Sequence, residues 1–333
     1  VAGDRCTVRG GNYRETIQPR AGGTEDKPIR FSAAKGEKVV IQGTDPIESE
    51  WTVHEGAIYR TKVDRDFEQV FVDHEMMIEA RWPNASFEEL LERDNWAKTN
   101  LGSRYGKIVD PDLAKTGIDW TGAVATLNVA HQFFTWTRPV AKHAAGSDTF
   151  EYKQDLEGIT HFADKTDPWE SNVYYLSGKL EALDTPTEWY LDSDEGTLYL
   201  WTSNGDNPAN HLVEAKSRAY GFDAEGLDYL EIQGIDFFGC TFRFTNCNHC
   251  TVDGCGLRFP TYTRLLDDSD GESMPCTEMR GTRNRVANTN LAHSSTSGIV
   301  MKGSLNTVEN CLVRDFCWNG SLRYVGIRMT PRG

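Results

Sequence analysis

The sequence predicts an all-β protein, a right-handed parallel β-helix solenoid carrying an inserted β-rich domain. Three observations predict it. Apolar residues recur in aligned columns across residues 227–329, each coil carries three short strands, and the period breaks between residues 50 and 216. Self-similarity at about 22 residues with short alternating strands marks a solenoid in which each coil adds one rung.

Ile232, Val252, Val286 and Val308 share one column, with the longest interval in the middle. Two residues later stand Gly234, Gly254, Asn288 and Asn310, then Ile235, Cys255, Thr289 and Cys311, and then Phe237, Leu257, Leu291 and Val313. Apolar positions two apart suit strands with one side inward. A loop around residues 265–276 lengthens the middle interval. A third strand follows in each coil, at Phe242 and Phe244, Met279, Ile299 and Met301, and Ile327 and Met329. Asn288 and Asn310 are expected to stack between the second and third strands, where an amide can satisfy turn backbone groups. A β-sandwich also repeats short strands, but it would not hold four columns in register from Leu230 to Val313.

Residues 1–49 read as the first coils, with strands at Cys6 to Arg9, Pro28 to Phe31 and Lys38 to Gly43. Residues 50–216 read as the insert. In it, Ser86 with Glu89 forms a capping box, Asp73-His74 is a turn, and Asp192 to Gly196 links the hairpin strands Trp189-Tyr190-Leu191 and Leu198-Tyr199-Leu200. Residues 217–333 return to coils. The abrupt ends, without polar caps, suggest further coils beyond the given residues.

The formal net charge is −15, from 35 Lys and Arg against 50 Asp and Glu, with no offsetting basic stripe. Nucleic acid is therefore a poor partner. No run approaches the apolar length of a membrane span. Seven of the eight cysteines lie between Cys240 and Cys317. Cys255 and Cys311 fall on the inward side as small core residues. Cys247-Asn248-His249-Cys250 lacks the second ligand pair a zinc site needs, and no disulfide pairing follows from spacing.

Several motifs together resemble a known group. They are Ala2-Gly3-Asp4 with Val8-Arg9-Gly10-Gly11-Asn12-Tyr13, then Ala80-Arg81-Trp82-Pro83-Asn84, Glu188-Trp189-Tyr190 with Gly196 to Trp201, and the coil repeats. The combination resembles secreted bacterial right-handed β-helix proteins with an inserted β-domain, among them glycoside hydrolases of families 120 and 141. The resemblance implies a secreted, periplasmic or cell-surface carbohydrate-active protein. A glycoside hydrolase acting on a plant or algal glycan is the first expectation. A polysaccharide lyase and a non-catalytic surface β-helix are the alternatives, since this fold carries all three.

In pectate-lyase-like β-helices the substrate lies along the outward face of one strand column. The third strand is expected to supply it here, through Arg243, Glu278, Val300 and Arg328. The loops walling it place His293 and Asp315 one coil apart, within hydrogen-bonding reach, as a proton-transfer pair in which the carboxylate raises the imidazole pKa. A structural hydrogen bond in a turn ladder is the other account of that pair. Glycoside hydrolysis needs two carboxyls, and Glu278 with Asp267, Asp268 or Asp315 is the pairing available. Arg258, Tyr262, Arg264 and Trp318 are the nearby sugar-binding candidates. No cofactor is required. Asp267 and Asp270 are candidate calcium ligands, though Met274-Pro275-Cys276 interrupts the loop before Glu278 and no helices flank it.

Overall fold

A computed structural model of the chain describes residues 1–129, 132, 134–155, 172–264, 274–318 and 325–331. Among these the regular structure is strand, with short 3-10 turns and no α-helix. Among the described residues no helix is long and apolar enough to cross a membrane.

Three parallel sheets organise the molecule. The first orders Arg5–Val8, Ile29–Ala33, Leu230–Gln233, Thr251–Asp253, Arg285–Ala287 and Thr307–Glu309. The second orders Gly11–Tyr13, Val39–Gln42, Ile235–Phe238, Gly256–Arg258, Asn290–Ser294 and Leu312–Phe316. The third orders Tyr220–Glu225, Thr241–Thr245, Thr277–Arg280, Ile299–Lys302 and Ile327–Thr330. From Leu230 onward the chain visits the three sheets in rotation, so each passage lays one strand on each.

The register follows the sequence columns. Ile232, Val252, Val286 and Val308 are direct neighbours in the first sheet, and Phe237, Leu257, Leu291 and Val313 in the second. Phe244, Met279, Met301 and Met329 align in the third. All of these but Met329, which is half exposed on the outermost strand, belong to or pack against one continuous apolar core, in which each fully buried large side chain contributes about 1.5–3 kcal/mol. Cys247, Cys250 and Cys255 are buried in it, and burial pushes the Cys255 thiol up to about 12. His249 stacks on Tyr229 at 4.6 Å, and among the described residues no cluster of His, Cys, Asp or Glu could hold a metal.

Corners are set by backbone conformation. Gly234, Gly254, Asn288 and Asn310 all have φ between 47° and 68°, the left-handed region that Gly and Asn tolerate best. Asn310 Nδ2 donates to Asn288 Oδ1 at 2.6 Å, and Asn288 Nδ2 to Asp253 Oδ1 at 2.8 Å. The ladder joins the first and second sheets, not the second and third strands as expected, because the left-handed residue directly follows the first-sheet strand. At the corner from the third sheet to the first, a Cβ on Gly281 would lie 1.8 Å from the Cys247 carbonyl oxygen. Only glycine fits there.

The early strands belong to the same sheets. Ile29–Ala33 pairs with Leu230–Gln233, and Val39–Gln42 with Ile235–Phe238, although all of residues 50–216 separate them along the chain. Between them the chain is mostly antiparallel, starting at Thr44–Pro46, which pairs with Val213–Lys216. Two further sheets follow, one containing the Glu188–Asp192/Thr197–Leu200 hairpin and one built round Val124–Val129. Their cores are aromatic, with Trp120, Trp136, Phe150 and Tyr174 fully buried. The Ser86 backbone N–H donates to the Glu89 carboxylate, as the capping box predicts, and the Ser86 hydroxyl donates to the same carboxylate. A cluster of Phe71, Phe238 and Phe259, with ring centroids 4.9–6.0 Å apart, joins this region to the second sheet.

Candidate functional site

The outward face of the second sheet, not the third, carries the large groove. It holds about 550 Å³ and is lined by Asn12, Lys38, Gln42, Asp236, Phe238, Arg258, Asn290 and Arg314, with His74 on the wall from the neighbouring region. Parity places them there. Gln42, Phe238, Arg258, Ala292 and Arg314 are one lateral row, each a direct neighbour of the next. Arg258 and Arg314 therefore stand two strand spacings apart, about 9.6 Å. Asp236 is held by the Gly256 N–H, which donates to Oδ1 at 2.7 Å. Arg258 lies over the Phe238 and Phe259 rings at 5.9 and 5.5 Å, with Glu75 at 4.0 Å.

The residues nominated from sequence separate onto three surfaces. Arg258 lines the groove. Arg243, Glu278, Val300 and Arg328 do form the expected row on the third sheet, but its charged members at the centre are engaged. Arg243 makes a two-pronged pair with Asp223, at 2.9 and 2.7 Å, and Glu278 is 5% exposed and bonded to Arg280 at 2.9 Å. Glu278 is thus a buried ion-pair member, not one of two carboxyls flanking an open cleft. Arg328 is exposed on the outermost strand. Asp267, Asp268 and Asp270 lie outside the described residues.

Tyr262, Arg264 and Trp318 meet instead in a small enclosed cavity of about 50 Å³, with Glu79, Arg81 and Ser177 of the antiparallel region. Arg264 Nη2 is 3.0 Å from Glu79 Oε1, and Ser177 Oγ donates to Glu79 Oε2 at 3.1 Å. Burial raises the Glu79 carboxyl against the opposing pull of Arg264, raises the Tyr262 phenol well above its usual value, and lowers Arg81. Arg81 stacks on the Tyr175 ring at 3.8 Å. Nearby, the buried Lys216 ammonium donates to the Phe259 and Pro260 carbonyls at 3.3 and 3.5 Å, and burial pulls it down to about 8.

His293 and Asp315 come together as their one-coil spacing predicts, both left-handed, with φ 61° and 52°. Their closest approach is 3.7 Å, an ion-pair distance longer than a hydrogen bond. Arg314 pairs with the same carboxylate oxygen, Asp315 Oδ2. The imidazole is stacked on Phe259 at 5.0 Å and meets the edge of Phe87 at 5.2 Å. Burial there lowers its pKa, and the Asp315 charge, pulling upward, is the smaller effect. The expected net rise is therefore reversed.

Sequence reasoning passed over Lys38, Gln42, Asp236, Asn290, Arg314 and His74. Two signals were available. Arg258 and Arg314 fall one place past Leu257 and Val313, in a shared row, and the Asp73-His74 turn carries histidine where glycine is usual.

No protein-family model matches the sequence, and no curated protein matches it. A solved structure titled "Glycoside hydrolase" resembles this chain over 94% of its residues and 77% of the other chain, with a TM-score of 0.56 and 14% identity. The likeness is one of fold. A second, titled "The complex structure of XylC with xylose", covers 98% of this chain and 51% of that one, with a TM-score of 0.49 and 15% identity.

Proposed function

We propose that this is a carbohydrate-active enzyme, a glycoside hydrolase whose glycan lies in the groove along the second parallel sheet. In this reading the three parallel sheets form a right-handed parallel β-helix, residues 50–216 an inserted β-rich domain, and the protein works outside the cell. The observation that carries it is the groove itself. It is long, open and walled by the antiparallel region, and it offers a carboxylate (Asp236), guanidinium groups (Arg258, Arg314), amides (Asn12, Gln42, Asn290) and an aromatic face (Phe238) to a polyhydroxylated chain. Such a lining mixes apolar surface with a few convergent polar groups, as ligand sites do. The fold shared with a glycoside hydrolase supports the reading.

Lys38, Arg258 and Arg314 also favour a second reading, elimination on a uronate polymer, since these cations would neutralise a sugar carboxylate. One assay separates the two. Incubation with neutral and uronate polysaccharides should release reducing ends without new ultraviolet absorbance if the enzyme is a hydrolase. Unsaturated product absorbance would establish the lyase, and release of neither would defeat both.

A further inference from the structure

The hairpin from Val70–Val72 to Glu75–Met76 turns on Asp73 and His74, both with positive φ, 51° and 67°. Two-residue turns of this hand favour Asn or Asp followed by Gly, because a Cβ at the second place is crowded. Glycine would make the easier turn, so what histidine contributes here is its side chain.

That side chain faces two ways. The ring lines the groove and meets Phe238 edge-on at 5.3 Å. Its Nδ1 lies 3.0 Å from Oε2 of Glu214, off the line of a formed hydrogen bond, and neither atom has another hydrogen-bond partner. Glu214 has no exposed surface, and its Oε1 is occupied by Arg14 and by the Thr44 hydroxyl at 3.0 Å. The carboxylate is therefore fixed from behind, and its second oxygen is directed at the imidazole. Nε2 has no hydrogen bond among the described residues.

We propose that His74 is the proton-transfer residue of this groove, positioned by the buried Glu214 carboxylate. This rests on the reading that a glycan occupies the groove. Asp236 points into the same space two residues before Phe238, about 7 Å along the strand, so His74 and Asp236 address neighbouring parts of a bound chain. In hydrolysis the imidazolium gives its Nε2 proton to the departing glycosidic oxygen as the C–O bond breaks. Asp236 takes a proton from the water whose oxygen bonds to the anomeric carbon, and exchange with solvent restores both groups. The charged groups around the ring are Glu214 with Arg14 behind it, Asp73 and Glu75 on either side in the turn, and Arg258 beyond Glu75.

Full-length His74→Asn, His74→Gly and Arg258→Ala test this, on xylan, arabinan, polygalacturonate and alginate. Both His74 replacements tolerate positive φ, so each should melt within about 3 °C of the parent, a shift of no more than roughly 2 kcal/mol for a chain of this size. His74→Asn should lose about 100-fold or more in kcat, with little change in KM and loss of one limb of the pH–rate profile. Arg258→Ala should mainly raise KM. Full turnover in His74→Asn, with KM raised in Arg258→Ala, overturns the proposal and leaves the groove reading standing. A melting point lowered well beyond about 3 °C with turnover intact makes His74 a structural partner of Glu214 and also overturns it. If the parent neither binds nor cleaves any of the four polymers, the groove reading fails and this proposal fails with it.

Discussion

The parallel sheets and the antiparallel region solve burial in different ways. The first stack aliphatic, sulfur and phenylalanine side chains in repeating columns, and their charged residues lie mainly on the outside. The second buries a few very large rings, and ionisable groups are buried within it and along the seam between the two. Glu188 and Glu214 have no exposed surface, Arg81 has 2%, and Glu79 and Lys216 are enclosed. Periodic packing gives each position many equivalent neighbours. Aperiodic packing lets single polar groups take unique places, and the groove opens where the two kinds meet.

The largest expected effect is in the columns. Phe237→Ala removes a ring that is 1% exposed between Leu257 and Ile41, and should cost about 3–5 kcal/mol in a denaturant titration. If packing is as independent as the two cores suggest, a probe at Trp136 should keep its own midpoint. A common shift of both would mean that the two regions unfold as one.

A pH titration of stability sharpens the comparison next. Burial raises Glu188 to about 8, so between its unfolded value near 4.3 and pH 8 the folded state keeps a proton that the unfolded state has released. Stability must fall as pH rises through that window. Glu68 and Glu79, raised by burial, and His211, raised by Asp73 and Asp206, act in the same direction. Lys216, lowered by burial to about 8, does the reverse: from pH 8 to about 10.4 the unfolded state holds the extra proton and stability rises. The antiparallel region and its seam should be least stable near pH 8. Glu188→Gln should flatten the lower limb and Lys216→Met the upper one, as read by thermal melts across pH.

The smallest effect is local. In Asp315→Asn, the His293 midpoint followed by NMR should move further down, since the lost charge was opposing burial. An upward or absent shift would mean that the close approach of the two side chains carries no interaction.

The columns could be read from sequence because period and parity fix register. Once Val252 is inward, Val286 and Val308 follow, and so does the row Arg243, Glu278, Val300. The groove could not be read, because which sheet faces the antiparallel region depends on contacts with no period. Phe71 chooses Phe238 and Phe259 as partners, and that choice turns the second sheet toward His74. Tyr262, Arg264 and Trp318, grouped from sequence with Arg258 as sugar-binding candidates, meet without Arg258, around Glu79 from a distant part of the sequence. The spacing of His293 and Asp315 gave their proximity, but the direction of the imidazole shift required knowing that Phe87 covers it.

The pairing of Val39–Gln42 with Ile235–Phe238 also sets an order of events during synthesis. Partners roughly 200 residues apart are separated by on the order of 10–40 s of translation at about 5–20 residues per second. Through that interval the strands Ile29–Ala33 and Val39–Gln42 exist without the neighbours that later cover their edges, and unpaired edges recruit other chains. Rapid collapse of the intervening aromatic cores shortens the effective distance between Gln42 and Tyr220, and so lowers the loop-closure entropy of joining them. If those cores collapse first, the antiparallel region serves as a folding clamp before it serves as a wall.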